Sequence, residues 1–467
     1  MSEYFLIIDG KKIATEKTFD VINPALGTVF AQAPDCSPAQ LNLAVEAANR
    51  AFQTWRLNEA DRREALSACA GILRSSAEEL GQILTEEQGK TIQHAKGEFE
   101  WAAWWIDEVL SMEIPIDIVA DNEHRRIELR RKPLGVVGAI MPWNYPIVLS
   151  ISKIAPALLV GNTIVLKPSP YTPLSSLKMG ELLSTVLPPG VLNIVSGGDE
   201  LGVWITNHLG FQKVVFTGSV ATGKKVAEST ASHLSRVTLE LGGNDAAIVL
   251  PDVDPKQIAA ELFEEAFSQN GQACIAIKRL YVHENIYDEM VDELRKRAEK
   301  VVLGDGLDPD VNMGPINNLA QLERVIELTE DAREHGGKIV TGGKRLARPG
   351  YFFPPTIVTH ITDGVRLVDE EQFGPVLPVI PFTDINEVIE RANATDFGLG
   401  GSVWTNDLDH GMEIAARLES GSTAVNHHTD FHPLIPFGGA KQSGYGIQNG
   451  VWGLDELCQL QVVSIAK

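Results

Sequence analysis

Cysteine is scarce in this chain: four in 467 residues, at 36, 69, 274 and 458, with no CxxC pair and no metal-ligand spacing. That excludes a disulfide framework and points to a reducing compartment, the cytoplasm. Positive charge is in deficit too. Forty lysines and arginines face 62 aspartates and glutamates, a formal net charge of −22, so a nucleic-acid backbone would be repelled. The one basic cluster, Arg125-Arg126 with Arg130-Arg131-Lys132, is interrupted by Ile127, Glu128 and Leu129 and reads as a solvated strand face. No apolar run suits a membrane span; Ile147 to Val160 carries Lys153 and a proline and is too short. The start, Met1-Ser2-Glu3-Tyr4-Phe5, has no basic region before an apolar stretch, so no secretory signal is visible. Internal repeats and low-complexity tracts are also missing.

What is present is the composition of a globular enzyme, 44% hydrophobic and 22% charged, on a chain long enough for two or three domains. Residues 36 to 120 read mostly as helices, with Ser37-Pro38 and Gln40 as a start signal. From Gly135 the texture changes to β-branched runs at 136–140, 161–166, 191–195 and 213–217, separated by helical stretches such as 174–186. That alternation implies a parallel sheet with helices on both faces. A second set of strands falls at 246–250, 279–283, 338–341, 376–382 and 401–405, with helices at 263–267 and 285–302, and the two sets meet near Glu240. Residues 123 to 134 suit a protruding β-hairpin, and 457 to 465 a further extended run.

Two residues carry the chemistry. Glu240 lies in Leu239-Glu240-Leu241-Gly242-Gly243-Asn244, an apolar strand-like setting with mobile glycines after it. Cys274 ends Asn270-Gly271-Gln272-Ala273-Cys274, where backbone donors can surround an oxyanion. A thiolate and a general base are the two parts needed to attack a carbonyl and later to activate water. With these motifs the chain resembles the aldehyde dehydrogenase superfamily, from Ile22-Asn23-Pro24 to Pro436-Phe437-Gly438-Gly439.

The resemblance implies an α/β fold: a Rossmann-type cofactor domain (1–120 and 135–239), an α/β catalytic domain (240–441) and a small β oligomerisation unit (121–134 and 450–467) that would build a homodimer or homotetramer. It implies oxidation of an aldehyde to the acid with NAD, NADP being possible, through a thiohemiacetal and thioester on Cys274. The site should therefore lower the thiol's pKa. Glu240 is the implied base for the hydrolytic water, Asn144 in Pro142-Trp143-Asn144-Tyr145-Pro146 the oxyanion donor, and Lys153 a lysine near the proton relay. Trp143, Lys167, Ser169, Gly218, Ser219, Glu371 and Phe373 match the cofactor positions. No GxGxxG follows a strand; Thr217-Gly218-Ser219-Val220-Ala221-Thr222-Gly223 takes its place.

Two positions depart from the pattern. Pro170 stands where NAD-preferring members often carry a glutamate that repels a 2′-phosphate. Gln448 stands where many members carry a relay glutamate, and an amide cannot accept that proton. The candidate pocket walls are Tyr145, Val148, Ile275, Phe431 and Phe437, with Ser152 pointing to a roomier channel. Trp101, Trp104 and Trp105 read as helix-packing residues, and the histidines at 427, 428 and 432 as polar or solvated loop residues rather than a metal site. Neither segment expected to line the channel, 142–161 or 426–439, contains an arginine, which favours uncharged aldehydes. The competing readings are a CoA-acylating relative, which generally lacks the glutamate base, and a non-catalytic structural protein on the same scaffold.

Overall fold

The computed structural model of the protein describes residues 4–428 and 430–467. The first three residues of the sequence, and Thr429 within the histidine-rich loop, lie outside the described residues. Two large sheets organise the rest. The first has eight strands, in spatial order Lys11–Ile13, Leu6–Ile8, Leu192–Ile194, Thr163–Lys167, Val136–Ile140, Lys213–Thr217, Arg236–Glu240 and Gly444–Tyr445. The five from Leu192–Ile194 to Arg236–Glu240 are parallel, and the outer strands run antiparallel. Their residues are almost all buried, as strands covered on both faces must be.

Parallel order has a chemical consequence. The segments that follow Val136–Ile140, Thr163–Lys167, Lys213–Thr217 and Arg236–Glu240 all emerge at the same sheet edge, so Trp143-Asn144, Lys167, Gly218-Ser219 and Glu240 converge although scattered in sequence. The second sheet has seven strands, ordered Lys338–Thr341, Thr356–Thr359, Val376–Phe382, Ile277–His283, Asp245–Val249, Gly400–Trp404 and Ser422–Val425, parallel except at the first pair. Here the site residues lie just before the strands: Cys274 before Ile277, Glu371 and Phe373 before Val376.

The sheets are tied by the late strand Gly444–Tyr445, which returns to pair with Leu239–Glu240. Gly444 adopts φ +128°, and a Cβ there would collide with the Leu239 carbonyl. Only glycine permits this approach, which holds the backbone of Glu240 from one side while Thr217 pairs with it from the other.

Helices occupy Pro38–Trp55, Glu59–Gln88 and Ile92–Ser111, the first opened by a Ser37/Gln40 capping box. The expected hairpin is displaced. Its first strand is Asp117–Asp121 and its second Arg125–Pro133, with the turn at Asn122, whose side chain accepts from the amides of His124 and Arg125. Strand Cys458–Ala466 pairs along Arg125–Pro133 to complete a three-stranded sheet. Three of the four arginines there are paired: Glu128 takes Arg126 and Arg130, while Arg131 bridges Asp455 and Asp117. Among the described residues no helix is long and apolar enough to cross a membrane.

Candidate active site

Cys274 is delivered by a strained turn. Gln269, Asn270 and Gly271 all have left-handed φ, at 52°, 61° and 64°, a conformation that costs non-glycine residues energy and persists only when held in place. Amide side chains hold it. The Asn270 side chain donates to the Gly314 carbonyl at 2.8 Å, and Gln269 donates to the Asn144 carbonyl. Gln272 donates to Gln269 O at 3.0 Å and accepts from the Asn317 amide at 2.9 Å. The Asn-Gly-Gln sequence is thus a set of braces for the loop that presents the thiol.

Asn144 is buried, and one N–H of its side chain donates to Gln272 O at 2.9 Å. An amide has a second N–H, and Asn144 and Cys274 line the same cavity. The turn that carries Asn144 rests on a pair of residues the sequence reading missed. Lys90 and Glu98 form an ion pair, each side chain 1% exposed. Lys90 also donates to the Asn144 carbonyl at 3.1 Å and lies 4.3 Å from the Tyr145 ring centroid. Glu98 accepts from the amides of Ile147 and Val148 at 2.8 and 3.1 Å, capping helix Pro146–Val160. A charge removed from this dry pair would leave the other unpaired.

Cys274, Asn144, Glu240, Lys153 and Gln448 share one cavity of about 160 Å³, with Tyr145, Val148, Leu149, Ile275, Phe431 and Phe437 on its walls. Among the described residues, both carboxyl oxygens of Glu240 lack a hydrogen-bond partner, as do Thr217 Oγ1 and Gln448 Nε2. Burial pushes the Glu240 carboxyl up to about 8, opposed by Lys153. Burial likewise draws Lys153 down to about 8, with Glu240 and Cys274 opposing. Lys153 donates to Ser152 Oγ at 3.1 Å and to Gln448 Oε1. The amide at 448 therefore keeps the lysine's proton in place and takes none itself.

Four expectations need correction. The thiol of Cys274 is pushed up to about 12, not down: burial dominates, Glu371, Asp245 and Glu240 add to it, and only Lys278 opposes. Lys278, four residues beyond the cysteine, went unnoticed in the sequence; its ammonium donates to the carbonyls of Ala273 and Cys274 at 2.8 and 2.7 Å and lies 3.7 Å from Glu371. Trp101 is a pocket wall, edge-on to Tyr145 and Phe431 at 6.3 and 6.0 Å; Trp105 is core, fully buried. Four residues apart, the two share one helix face and both meet Phe431, at 6.0 and 4.7 Å, but Trp101 reaches the cavity while Trp105 lies covered behind it. Ser152 does not line the cavity; it is buried and bonded to Leu149 O and Lys153. The histidines are not all solvated loop residues. His428 is buried between Ser402 and Asp245, His427 faces Asp430, and His432 lies against Trp104.

The cofactor candidates stand on the neighbouring edge. Lys167 is buried, its ammonium 3.4 Å from the Pro168 carbonyl and drawn down to about 8 by burial. Ser169 is buried in the turn after it, its hydroxyl accepting from the Tyr171 amide at 3.3 Å. Gly218 N–H donates to the Glu240 carbonyl at 3.0 Å, and Ser219 caps helix Val220–Ala231, whose first turn carries no acidic side chain. Trp143 and Phe373 meet edge to face at 5.4 Å. Glu371 accepts from the Gly243 amide at 3.0 Å, over Gly242, where any Cβ would strike its carboxylate. A buried cation with one weak carbonyl contact and an uncovered helix N-terminus, both at one sheet edge, fit a dinucleotide.

The aldehyde dehydrogenase family model matches residues 12–463. This chain belongs to that family. It is 37% identical to a putative aldehyde dehydrogenase, FUS7, of Gibberella moniliformis, over 99% of this chain and 98% of the relative. It is 36% identical to human retinal dehydrogenase 2, over 96% of this chain and 89% of that one. Its fold superposes on the NAD+ complex of a Bacillus cereus aldehyde dehydrogenase with TM-score 0.94 at 35% identity, covering 100% of this chain and 97% of the other. A 3,6-anhydro-L-galactose dehydrogenase in complex with NADP gives TM-score 0.95 at 34% identity, with 99% and 100% covered. The aldehyde dehydrogenase described here is NAD(P)-dependent and non-acylating, oxidising aldehydes to acids.

Proposed function

We propose that Cys274 is the nucleophile, Asn144 the oxyanion donor and Glu240 the hydrolytic base of this aldehyde dehydrogenase, acting on uncharged aldehydes. The reading rests above all on Glu240, a buried carboxyl with both oxygens unpaired in the cavity that holds the thiol. The Cys274 sulfur bonds to the aldehyde carbon, and the new oxyanion takes the free N–H of Asn144. A nicotinamide held beside Phe373 and Glu371 would supply the hydride acceptor that takes the carbon bonded to Cys274 to the thioester level. Water held by Glu240 then gives its proton to the carboxylate and attacks the thioester, and Cys274 is released with the acid. Lys153, held by Gln448, faces the ionised Glu240 carboxylate before it takes that proton. The raised thiol pKa means that Cys274 is stored protonated and becomes a thiolate only as the site fills.

For the cofactor we assign Trp143, Lys167, Ser169, Gly218, Ser219, Glu371 and Phe373, with Lys167 at the adenosine ribose. The divisions 1–120 with 135–239, 240–441, and 121–134 with 450–467 are the proposed cofactor, catalytic and oligomerisation domains, the last extended back to Asp117 by the strand Asp117–Asp121. Ile118, Val119, Leu460, Val462 and Ile465 leave the three-stranded sheet with exposed apolar side chains, which supports a homodimer or homotetramer. Four free cysteines support a cytoplasmic enzyme.

The substrate preference follows from the walls. Among the described residues no arginine lines the cavity, and Arg279 is engaged elsewhere, donating to the carbonyls of Asn244, Ala392 and Arg391. Purified enzyme given hexanal, benzaldehyde or succinic semialdehyde with NAD, and followed by absorbance of the reduced cofactor, should show higher kcat/KM for the first two. A clear preference for the semialdehyde refutes the uncharged channel, and turnover by Cys274→Ala refutes the nucleophile.

A further inference from the structure

The turn that follows Thr163–Lys167 carries Pro170, with no carboxylate to discriminate between a ribose hydroxyl and a 2′-phosphate. The missing charge is present from elsewhere. Asp199 and Asp35 are the carboxylates that act on the Lys167 ammonium, Asp199 the more strongly. They come from separate elements: Asp35 ends strand Thr28–Asp35, and Asp199 opens helix Asp199–Asn207 after Leu192–Ile194. Cys36 N–H donates to the Ser196 carbonyl at 2.9 Å and fastens the two elements together. At Gly197 a Cβ would lie 3.1 Å from Asp35 Oδ1, so the bare glycine backbone leaves that carboxylate its position.

Neither carboxylate has a hydrogen bond or ion pair with a described residue. Both line a cavity of about 770 Å³ whose other charged residues are Glu16, Glu200 and Lys17. The balance there is four carboxylates to one lysine, and Lys167, outside the cavity's lining, ends the strand that pairs with Leu192–Ile194 at the same sheet edge. A ribose diol suits this setting, because each hydroxyl can accept from an ammonium and donate to a carboxylate. A phosphate cannot donate once ionised, and it brings up to two further negative charges toward carboxylates whose one shared cation is already outnumbered.

We propose that Asp199, supported by Asp35, is the cofactor-specificity determinant of this enzyme, holding the adenosine 2′-hydroxyl and rejecting a 2′-phosphate in place of the carboxylate absent at position 170. The proposal rests on the assignment of Lys167 to the adenosine ribose. It sharpens the open choice between NAD and NADP into a preference for NAD with a named cause.

The test is binding, measured by titration calorimetry on the full-length enzyme with ADP-ribose and 2′-phospho-ADP-ribose, neither of which can turn over. Asp199→Asn should raise the affinity for the 2′-phosphorylated ligand relative to ADP-ribose by about tenfold, the scale of one like-charge contact near a protein surface. Asp35→Asn, on a different element, should shift the same ratio in the same direction by less, and high salt should shrink both shifts. Lys167→Ala serves as the control for the underlying assignment and should weaken both ligands. If it weakens both while neither asparagine variant changes the ratio, the specificity proposal is overturned. If it changes neither affinity, the assignment of Lys167 to the ribose falls, and the proposal with it.

Discussion

Replacing Glu240 by glutamine keeps the side chain's shape and removes its proton acceptor, so the two halves of the reaction should separate. The carboxyl sits at about 8 in its buried setting, which leaves about a tenth of it ionised at pH 7 and about nine-tenths at pH 9. Only the ionised form can take the proton of the hydrolytic water. Where thioester hydrolysis limits turnover, the steady-state rate of the wild type should therefore rise about tenfold across that interval. The direction is fixed by the sign of the shift: a raised carboxyl is protonated at neutral pH, so activity increases with pH. Rapid mixing with saturating aldehyde and NAD, followed by absorbance of the reduced cofactor, reads both steps. In Glu240→Gln we expect a burst near one equivalent per active site, then a slow phase reduced by about 10²–10⁴ that no longer rises through pH 8. The burst depends on the thiol of Cys274, which is also stored protonated, so its rate should still increase with pH in the variant. A Glu240→Gln enzyme with unchanged steady-state turnover, or a slow phase that keeps the wild-type pH profile, would show that another group activates the water.

Two further outcomes follow from the packing. The thiols of Cys36, Cys69 and Cys458 are buried and pushed up to about 12; each changed to alanine should keep activity at a cost of about 1 kcal/mol in unfolding free energy, whereas Cys274→Ala should retain cofactor binding and lose turnover, as calorimetry and the steady-state assay would report. Trp101 packs edge-on against Tyr145 and Phe431 in the cavity wall, so Trp101→Ala should raise KM for hexanal and benzaldehyde by about tenfold or more through lost apolar contact; an unchanged KM, with the melting temperature measured alongside, would place substrate away from that wall.

The residues proposed to carry chemistry are legible where a local motif states the chemical need. Asn270-Gly271-Gln272 before Cys274 is legible because the turn needs those residue types in a row, although most of the bonds that brace it reach distant Gly314, Asn144 and Asn317 and only one is local. Leu239 and Leu241 around Glu240 mark a buried strand end, and the β-branched runs on either side state the parallel sheet that carries it. The hairpin was placed too late because Asp117–Asp121 has little of its own to mark a strand; its pairing comes from Arg125–Pro133. Other features exist only in three dimensions. Lys90 and Glu98 gain their role by meeting Asn144 and Ile147, about 50 residues away, and Trp101 becomes a pocket wall only when Tyr145 and Phe431 arrive beside it. The protonation of Cys274 was misjudged for the same reason. Motif and residue type say that a thiol is there, but its proton affinity is set by burial and by Glu371, Asp245, Glu240 and Lys278 together. Chemical identity and local conformation are properties of short stretches, whereas desolvation and Coulomb interaction are sums over whatever the fold brings near.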